Sequence, residues 1–382
     1  MPSAAELREE FLLDPEVTFL NHGSFGACPR PVLERYQAWQ RELEREPVRF
    51  LARRLPELLD GARSRLAAYV GAAADDLALV PNATTGVNLA ARSLDLRPGD
   101  EVLATSLEYG ACDLAWRWLC DRTGARYVRA EVTLPVARPE EIVETLFTAR
   151  SERTRAVFVS HVASGTGLLL PVDAIVARAH AEGLPVVVDG AHAPAQAPLD
   201  LDRLGADFYA GNCHKWLCSP KGAGFLHVRP EHQERIDGAV VSWGYDGDAT
   251  FPSRVESQGT DDPSAYLAVP DAIDYQAERG WDEVRARCCA LARKTRDELC
   301  TLLGTESIAP PEMLLQMASV TLPPCDGAEL QRRLFDEHRI EVPVIRGESL
   351  LRVSVAAYTS REDVERLLDV LPRLLRTSRS PA

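Results

Sequence analysis

The chain has 382 residues, 46% hydrophobic and 26% charged, with a formal net charge of −14. That length fits one large and one smaller domain, and the acidic balance gives no electrostatic reason to bind nucleic acid or an anionic membrane surface. Nine cysteines without a CxxC pair speak against a disulfide framework or zinc site, and without an apolar leader or membrane-length run a soluble, cytoplasmic protein is expected.

The first residues, to about Glu16, read as a short amphipathic arm. A turn marked by Pro29 and Pro31 precedes a helix over Val32 to Glu46, and "LARRLPELLDGARSRLAAYVGA" continues as helix. From Leu77 the texture changes to short apolar strands alternating with helices. "DLALVP", "DEVLAT", "GARYVRAEV", "RAVFVSH", "LPVVVDGAH", "ADFYAGN" and "GAGFLHV" are seven such strands. Continuous Val-, Phe- and Leu-rich runs between helices indicate a mostly parallel sheet covered on both faces. After Asp262 a long helix is expected from Ser264 to about Gly304. "MASVTLP" and "LLRVSVAAYTS" then read as strands, between helices at "GAELQRRLFDEH" and "REDVERLLDVLPRLL". The expected class is α/β, with an arm over residues 1–20 packing on the small domain, a large domain over 21–262 and an α+β small domain over 263–382.

In open α/β sheets, ligands bind beyond the carboxyl ends of the strands, so the polar residues there carry most information. After "LALVP" come Asn82, Ala83, Thr84 and Thr85 at a helix start, an arrangement that suits an anion; by itself it is equally an ordinary N-cap. Tyr109 follows the second strand and is either a stacking platform or core. Asp189 ends a run of three valines, where a carboxylate is costly to bury without a partner. His214 and Lys215 follow "DFYAGN". A lysine in such a half-buried run is paired, reactive or simply in a surface loop.

Pyridoxal phosphate (PLP) uses all of these at once. It needs a lysine for a Schiff base, an acid for its pyridine nitrogen, an anion site for its phosphate and a flat group over its ring. Asp189 and Lys215 stand in that order, with room between them for one helix and one strand.

"PNATTGVN", "VVVDGAHAPAQ" and "CHKW...PKGAGFL" resemble the class V aminotransferases, which have the fold-type I architecture of PLP enzymes. The resemblance runs from "FLNHGSFGACP" to "LRVSVAAYTSREDV", and is finer to the isopenicillin N epimerase-like branch through "EPVRFLARRLPELLDGARSRLAAYVGA" and "LVPNATTGVNLAARSL". It implies that Lys215 forms the Schiff base and shuttles the α-proton, that Asp189 pairs with the pyridine nitrogen, and that His192 sits near the phenolic oxygen with Ser164 on the same side. It implies that Tyr109 stacks on the ring, and that Ala83, Thr84 and His214, with Asn212, cradle the phosphate. Gly259 and Thr260 match a pair that reaches the phosphate from the neighbouring subunit, so a homodimer with shared active sites is implied. Arg352 matches an arginine that grips the substrate α-carboxylate, although alone it reads as a strand-edge arginine. Asn21, His22 and Ser24 are expected along the substrate entrance. Arg346 is read as a contact to a distal carboxylate, a second α-carboxylate contact or a surface residue.

The same cofactor supports epimerisation, transamination, elimination and desulfuration. Cysteine desulfurases of this class carry a nucleophilic cysteine on the loop before the carboxylate-binding arginine. The corresponding stretch here, Glu341 to Ser354, has none, and the nearest is Cys325. Cys213, beside the lysine, stays of interest. The favoured expectation is an amino-acid epimerase or racemase. Its second proton donor stays open between His22 and a bound water, because Tyr109 is assigned to stacking. The alternatives are a C–S lyase or aminotransferase-type tailoring enzyme, or a catalytically silent binding protein. Retention of acid, lysine and phosphate residues together argues against the last.

Overall fold

Seven strands, all but the edge strand Arg126–Ala130 largely buried, form the central sheet of the computed structural model, in which residues 2–345 and 349–377 are described. They are β1 (Leu77–Val80), β2 (Glu101–Thr105), β3 (Arg126–Ala130), β4 (Thr154–Ser160), β5 (Val186–Gly190), β6 (Phe208–Asn212) and β7 (Gly224–Val228). The spatial order is β1-β7-β6-β5-β4-β2-β3. Strand β7 runs antiparallel to both of its neighbours, and the other pairs are parallel. The fold is therefore α/β with a mostly parallel sheet, as the continuous apolar runs imply.

Side chains on successive strand positions enter different cores. Leu79, Leu103, Val157, Val188 and Phe225 face one cluster, and Ala78, Val102, Phe158, Val187 and Leu226 face the other. This double burial explains why the strands read as unbroken hydrophobic runs rather than alternating ones.

The single helix expected from Ser264 to Gly304 is instead three, Ser264–Leu267, Val269–Glu278 and Trp281–Leu303. Pro270 lies in the first turn of the second, where its missing N–H costs nothing. Gly280 adopts φ 63° before the third, a left-handed conformation that breaks the helix. A smaller antiparallel sheet follows, made of β8 (Met317–Thr321), β9 (Val344–Ile345) and β10 (Leu350–Ser354) in the order β9-β10-β8. The start of the chain reaches this region. Thr18–Phe19 pairs in parallel with Ile340–Glu341, and the Leu20 carbonyl accepts from Ser354 N at 2.8 Å.

The carboxyl ends of β2, β4, β5 and β6 share one edge of the large sheet, where Ser160 stands opposite Asp189 and Gly190 opposite Gly211. Among the described residues no helix is long and apolar enough to cross a membrane.

Candidate active site

Strand β6 ends at Asn212, and a tight turn follows that presents Lys215. The Cys213 N–H donates to Ala223 O at 3.0 Å and the Cys218 N–H to Lys215 O at 3.0 Å, closing the turn on itself. Trp216 is buried beneath it, and its carbonyl accepts from Gln276 Nε2 at 2.8 Å. The lysine as a whole is half-buried, but its amine is enclosed, and Nζ lies 2.9 Å from His192 Nε2. His192 is buried, and Trp216 Nε1–H donates to its Nδ1 at 3.3 Å. A ring nitrogen that receives an N–H must carry the lone pair, so the hydrogen of a neutral His192 sits on Nε2. Nε2 then donates to Nζ, which accepts only as an unprotonated amine. The electrostatics agree. Burial pulls Lys215 down to about 8, with Asp189 pulling the other way, and burial holds His192 well below the usual imidazole range.

Asp189 is buried at the end of β5. Its Oδ1 accepts from Ala191 N at 2.9 Å and its Oδ2 from Cys112 Sγ at 3.5 Å. Among the described residues, no cationic group lies within ion-pairing distance, 4.0 Å, of this carboxylate. Burial raises its pKa. A buried carboxylate in that state fits a cationic partner such as a protonated pyridine nitrogen. The helix Leu201–Leu204 and β6 fill the interval between Asp189 and Lys215.

The helix Ala83–Arg92 points its N-terminus at the same edge. Asn82 caps it, its Oδ1 accepting from Thr85 N at 2.9 Å. Asn212 Oδ1 accepts from Ala83 N at 2.8 Å, so Asn212 orders the helix start with its carbonyl oxygen. His214 Nδ1–H donates to Ala223 O at 3.1 Å, leaving Nε2 as its other contact point. Burial brings His214 down to about 4; a facing dianion would act against that shift.

Arg352 on β10 is buried and reaches across to the large sheet's edge. Its guanidinium donates to the Ser164 carbonyl, and to Ser24 Oγ at 3.1 Å. Ser24 in turn donates to Asn21 Oδ1 at 2.6 Å, and Asn21 Nδ2 to Glu341 Oε1 at 2.9 Å. His22 sits below this chain. Its Nδ1 is 2.9 Å from Tyr358 Oη and its Nε2 3.0 Å from Lys215 O, and burial brings it down to about 3. His22 thus braces the lysine's backbone.

Tyr109 caps the helix Gly110–Thr123 and is 44% exposed. Gly259 and Thr260 are exposed, and among the described residues no hydrogen bond or ion pair joins them to the Lys215 cluster. Arg346 lies outside the described residues. Cys213 is buried and its thiol is pushed far up, as is that of Cys218; neither is poised as a thiolate. A surface depression lined by Glu10, Glu278, Arg279 and Glu283 shares no residue with the cluster.

Three participants went unread in the sequence: Trp216 and Tyr358, which hold His192 and His22, and Glu108, a buried acid near Asp189. The tryptophan's place beside the lysine was visible, but its partner follows only from the pairing of β5 with β6.

The aminotransferase class V family model matches residues 26–367. The chain belongs to that family. It is a PLP-dependent enzyme, and the half-buried lysine, the buried acid and the helix N-terminus fit that cofactor. It is 41% identical to the isopenicillin N epimerase of Amycolatopsis lactamdurans, over 97% of this chain and 98% of that protein. It is 39% identical to the isopenicillin N epimerase of Streptomyces clavuligerus, again over 97% and 98%. A probable chloroplastic L-cysteine desulfhydrase of Arabidopsis thaliana is 30% identical, over 98% of this chain and 86% of that protein. Among solved structures, the cystine C–S lyase C-DES in complex with cysteine persulfide superposes with a TM-score of 0.83 at 24% identity, over 96% and 99% of the two chains. The Escherichia coli cysteine desulfurase CsdA has a TM-score of 0.82 at 22% identity, over 99% and 100%. These two share the fold.

Proposed function

We propose that the protein is an epimerase of the isopenicillin N epimerase type, acting at the α-carbon of an amino acid or an amino-acid-derived substrate. The observation that carries this is the Lys215 amine, drawn down to about 8 and set 2.9 Å from a neutral, buried His192, within a chain 41% identical to such an epimerase. Bound PLP supplies an electron sink for the pair left when the α-proton departs. Lys215 anchors the cofactor, and its Nζ accepts the α-proton; inversion is completed when a second donor returns a proton to the opposite face of that carbon. Asp189 holds the pyridine nitrogen's proton in place. His192 and Ser164 face the ring's oxygen side, and Tyr109 covers the ring. Ala83, Thr84 and His214 receive the phosphate, with Asn212 fixing Ala83. Arg352 grips the α-carboxylate with its planar fork, while Asn21 and Ser24 orient that fork and His22 steadies the turn of Lys215.

A homodimer with shared sites belongs to this reading. Gly259 and Thr260 are exposed, and Val241 and Trp243, on the same stretch, are 76% and 85% exposed. Such a patch suits a second copy of the chain, whose phosphate Gly259 and Thr260 would reach.

A C–S lyase is the second reading, favoured by the 30% identity to the desulfhydrase. A persulfide-forming desulfurase is disfavoured, because no cysteine lies between Glu341 and Ser354. The deciding experiment incubates the PLP-loaded protein in deuterated buffer with isopenicillin N and a panel of amino acids, reading mass and chirality together. Deuterium gain with loss of chirality is expected. Release of pyruvate, ammonia or a sulfur fragment would replace the epimerase with the lyase.

A further inference from the structure

Glu108 is a buried acid beside Asp189 to which the proposed chemistry assigns no role. It follows β2 by three residues and directly precedes Tyr109. Its two oxygens are held by different strands. Thr105 Oγ1, at the end of β2, lies 2.5 Å from Oε1, and Ser160 Oγ, at the end of β4, lies 2.6 Å from Oε2. Strands β2 and β4 are neighbours, and Ser160 stands opposite Asp189 on β5. The carboxyl group therefore staples the Tyr109 loop to the strand next to the acid that meets the cofactor. Cys112 secures the other side of Tyr109: it lies in the first turn of the helix that Tyr109 caps and donates to Asp189 Oδ2.

The charges around Glu108 are one-sided. Asp189 and Cys112 face it from β5 and the helix, and Asp113 stands nearby, bonded to Tyr127 Oη at 2.7 Å and 3.6 Å from Arg129 Nε. Among the described residues no cation touches Glu108 itself. Two neighbouring buried carboxylates do not both stay charged without compensation. Asp189 has the Ala191 N–H and the Cys112 thiol donating to it. Glu108 has two hydroxyls, which can accept a hydrogen as readily as donate one, and the Ser160 backbone, and together these do not offset its burial. Burial pushes Glu108 up to about 8.

We propose that Glu108 is a positioning residue of the cofactor site: as a neutral acid it staples the Tyr109 loop to the strand beside Asp189 and leaves the buried negative charge on Asp189. This rests on the PLP-site reading, which the wild type tests separately. If wild-type protein retained no PLP after borohydride reduction, that reading would fail, whatever Glu108 does.

The test compares Glu108→Gln and Glu108→Ala as apo-proteins reloaded with PLP. A carboxamide donates one hydrogen and accepts another, as a protonated acid does, but cannot replace a carboxylate that accepts from both hydroxyls. Glu108→Gln is expected to hold PLP within about threefold of wild type, with the pH midpoint of the bound cofactor's visible absorbance unmoved. Glu108→Ala is expected to bind at least about tenfold more weakly, with a smaller visible circular dichroism as Tyr109 loses its seat. The proposal is overturned if Glu108→Gln is as weak as Glu108→Ala, if it shifts the midpoint by about one pH unit, or if Glu108→Ala binds like wild type. Should Glu108→Ala not fold, Ser160→Ala removes one arm of the staple, and an unchanged circular dichroism of its bound cofactor would sink the idea equally.

Discussion

Nζ of Lys215 lies 2.9 Å from Nε2 of His192, whose other nitrogen receives the indole N–H of Trp216. The relay fixes which atom donates: the indole to the imidazole, and the imidazole to the amine. Replacing His192 by Ala removes the donor and leaves the amine in a pocket with nothing to hold it. We expect covalent retention of PLP, read by mass spectrometry after borohydride reduction, to fall, and cofactor affinity to drop by about tenfold. His192→Gln keeps a donor and should lie between the two. Equal retention in all three proteins would remove His192 from the site.

Arg352 reaches Ser24 and Ser164 through a buried, planar group. Lysine at this position keeps the charge but not the fork. Arg352→Lys should raise KM for the substrate by roughly tenfold or more while kcat changes by less than about threefold, the signature of lost ground-state binding. Steady-state kinetics over a substrate range separates the two. A kcat loss with constant KM would instead place Arg352 in the chemical step.

Buried ionisable groups give stability a pH dependence on both sides. His22 is held down to about 3 from an ordinary 6.5, so its neutral form is the folded one. A lowered pKa contributes stability that is present above 6.5 and lost as pH falls towards 3. Glu108 has the opposite sign. Raised from 4.5 to about 8, it contributes stability that is present below 4.5 and lost as pH rises through 8. Urea unfolding of the apo-protein should therefore show Glu108→Gln gaining on wild type between those limits, by about 1 kcal/mol or more. His22→Gln should flatten the acid side. Parallel curves for wild type and Glu108→Gln would mean that Glu108 ionises freely.

The interior strands were legible because a sheet buried on both faces leaves an unbroken apolar run in them, as in Val186–Val188, whereas the edge strand Arg126–Ala130 is mixed and only partly buried. Lys215 and Asp189 were legible because each follows such a run at the ligand-binding end. Glu108 was not. Its meaning depends on β2 lying beside β4, although β3 separates them in sequence, and no local pattern encodes that neighbour. The antiparallel insertion of β7 is likewise a long-range choice. The break at Gly280 was a local signal outweighed by the helical pattern around it. His22 was placed at the entrance by its company with Asn21 and Ser24, yet its bonds run inward to Tyr358 and the Lys215 carbonyl.

Trp243 is 85% exposed on the stretch that leads to Thr260. If that face meets a second copy, a charge there is buried unpaired on association, which is costly. Trp243→Asp is expected to shift the protein towards monomer in sedimentation velocity and to weaken PLP retention in parallel, because the phosphate contacts would be lost with the partner. A monomeric wild type would end the shared-site reading. A dimer that survives the substitution would move its interface elsewhere.

Gly26 bears directly on the lysine. Its φ of 69° lies in the left-handed region, and a Cβ there would meet the His214 carbonyl oxygen at 1.9 Å and Lys215 Cα at 2.9 Å. Both obstacles are backbone, so no side chain can swing aside. Gly26→Ala must either force this residue out of its turn or push the segment that carries Lys215. The conformational cost alone is about 1–2 kcal/mol, and the clash adds to it. The displaced lysine should also move relative to His192. We expect a lower Tm together with a changed visible absorbance of the bound cofactor at neutral pH. Gly61→Ala serves as the control, since nothing lies within 4 Å of its would-be Cβ and alanine favours the helix it sits in. A Gly26→Ala protein that unfolds early but binds and colours PLP like wild type would show that the turn at Gly26 supports stability without setting the position of Lys215.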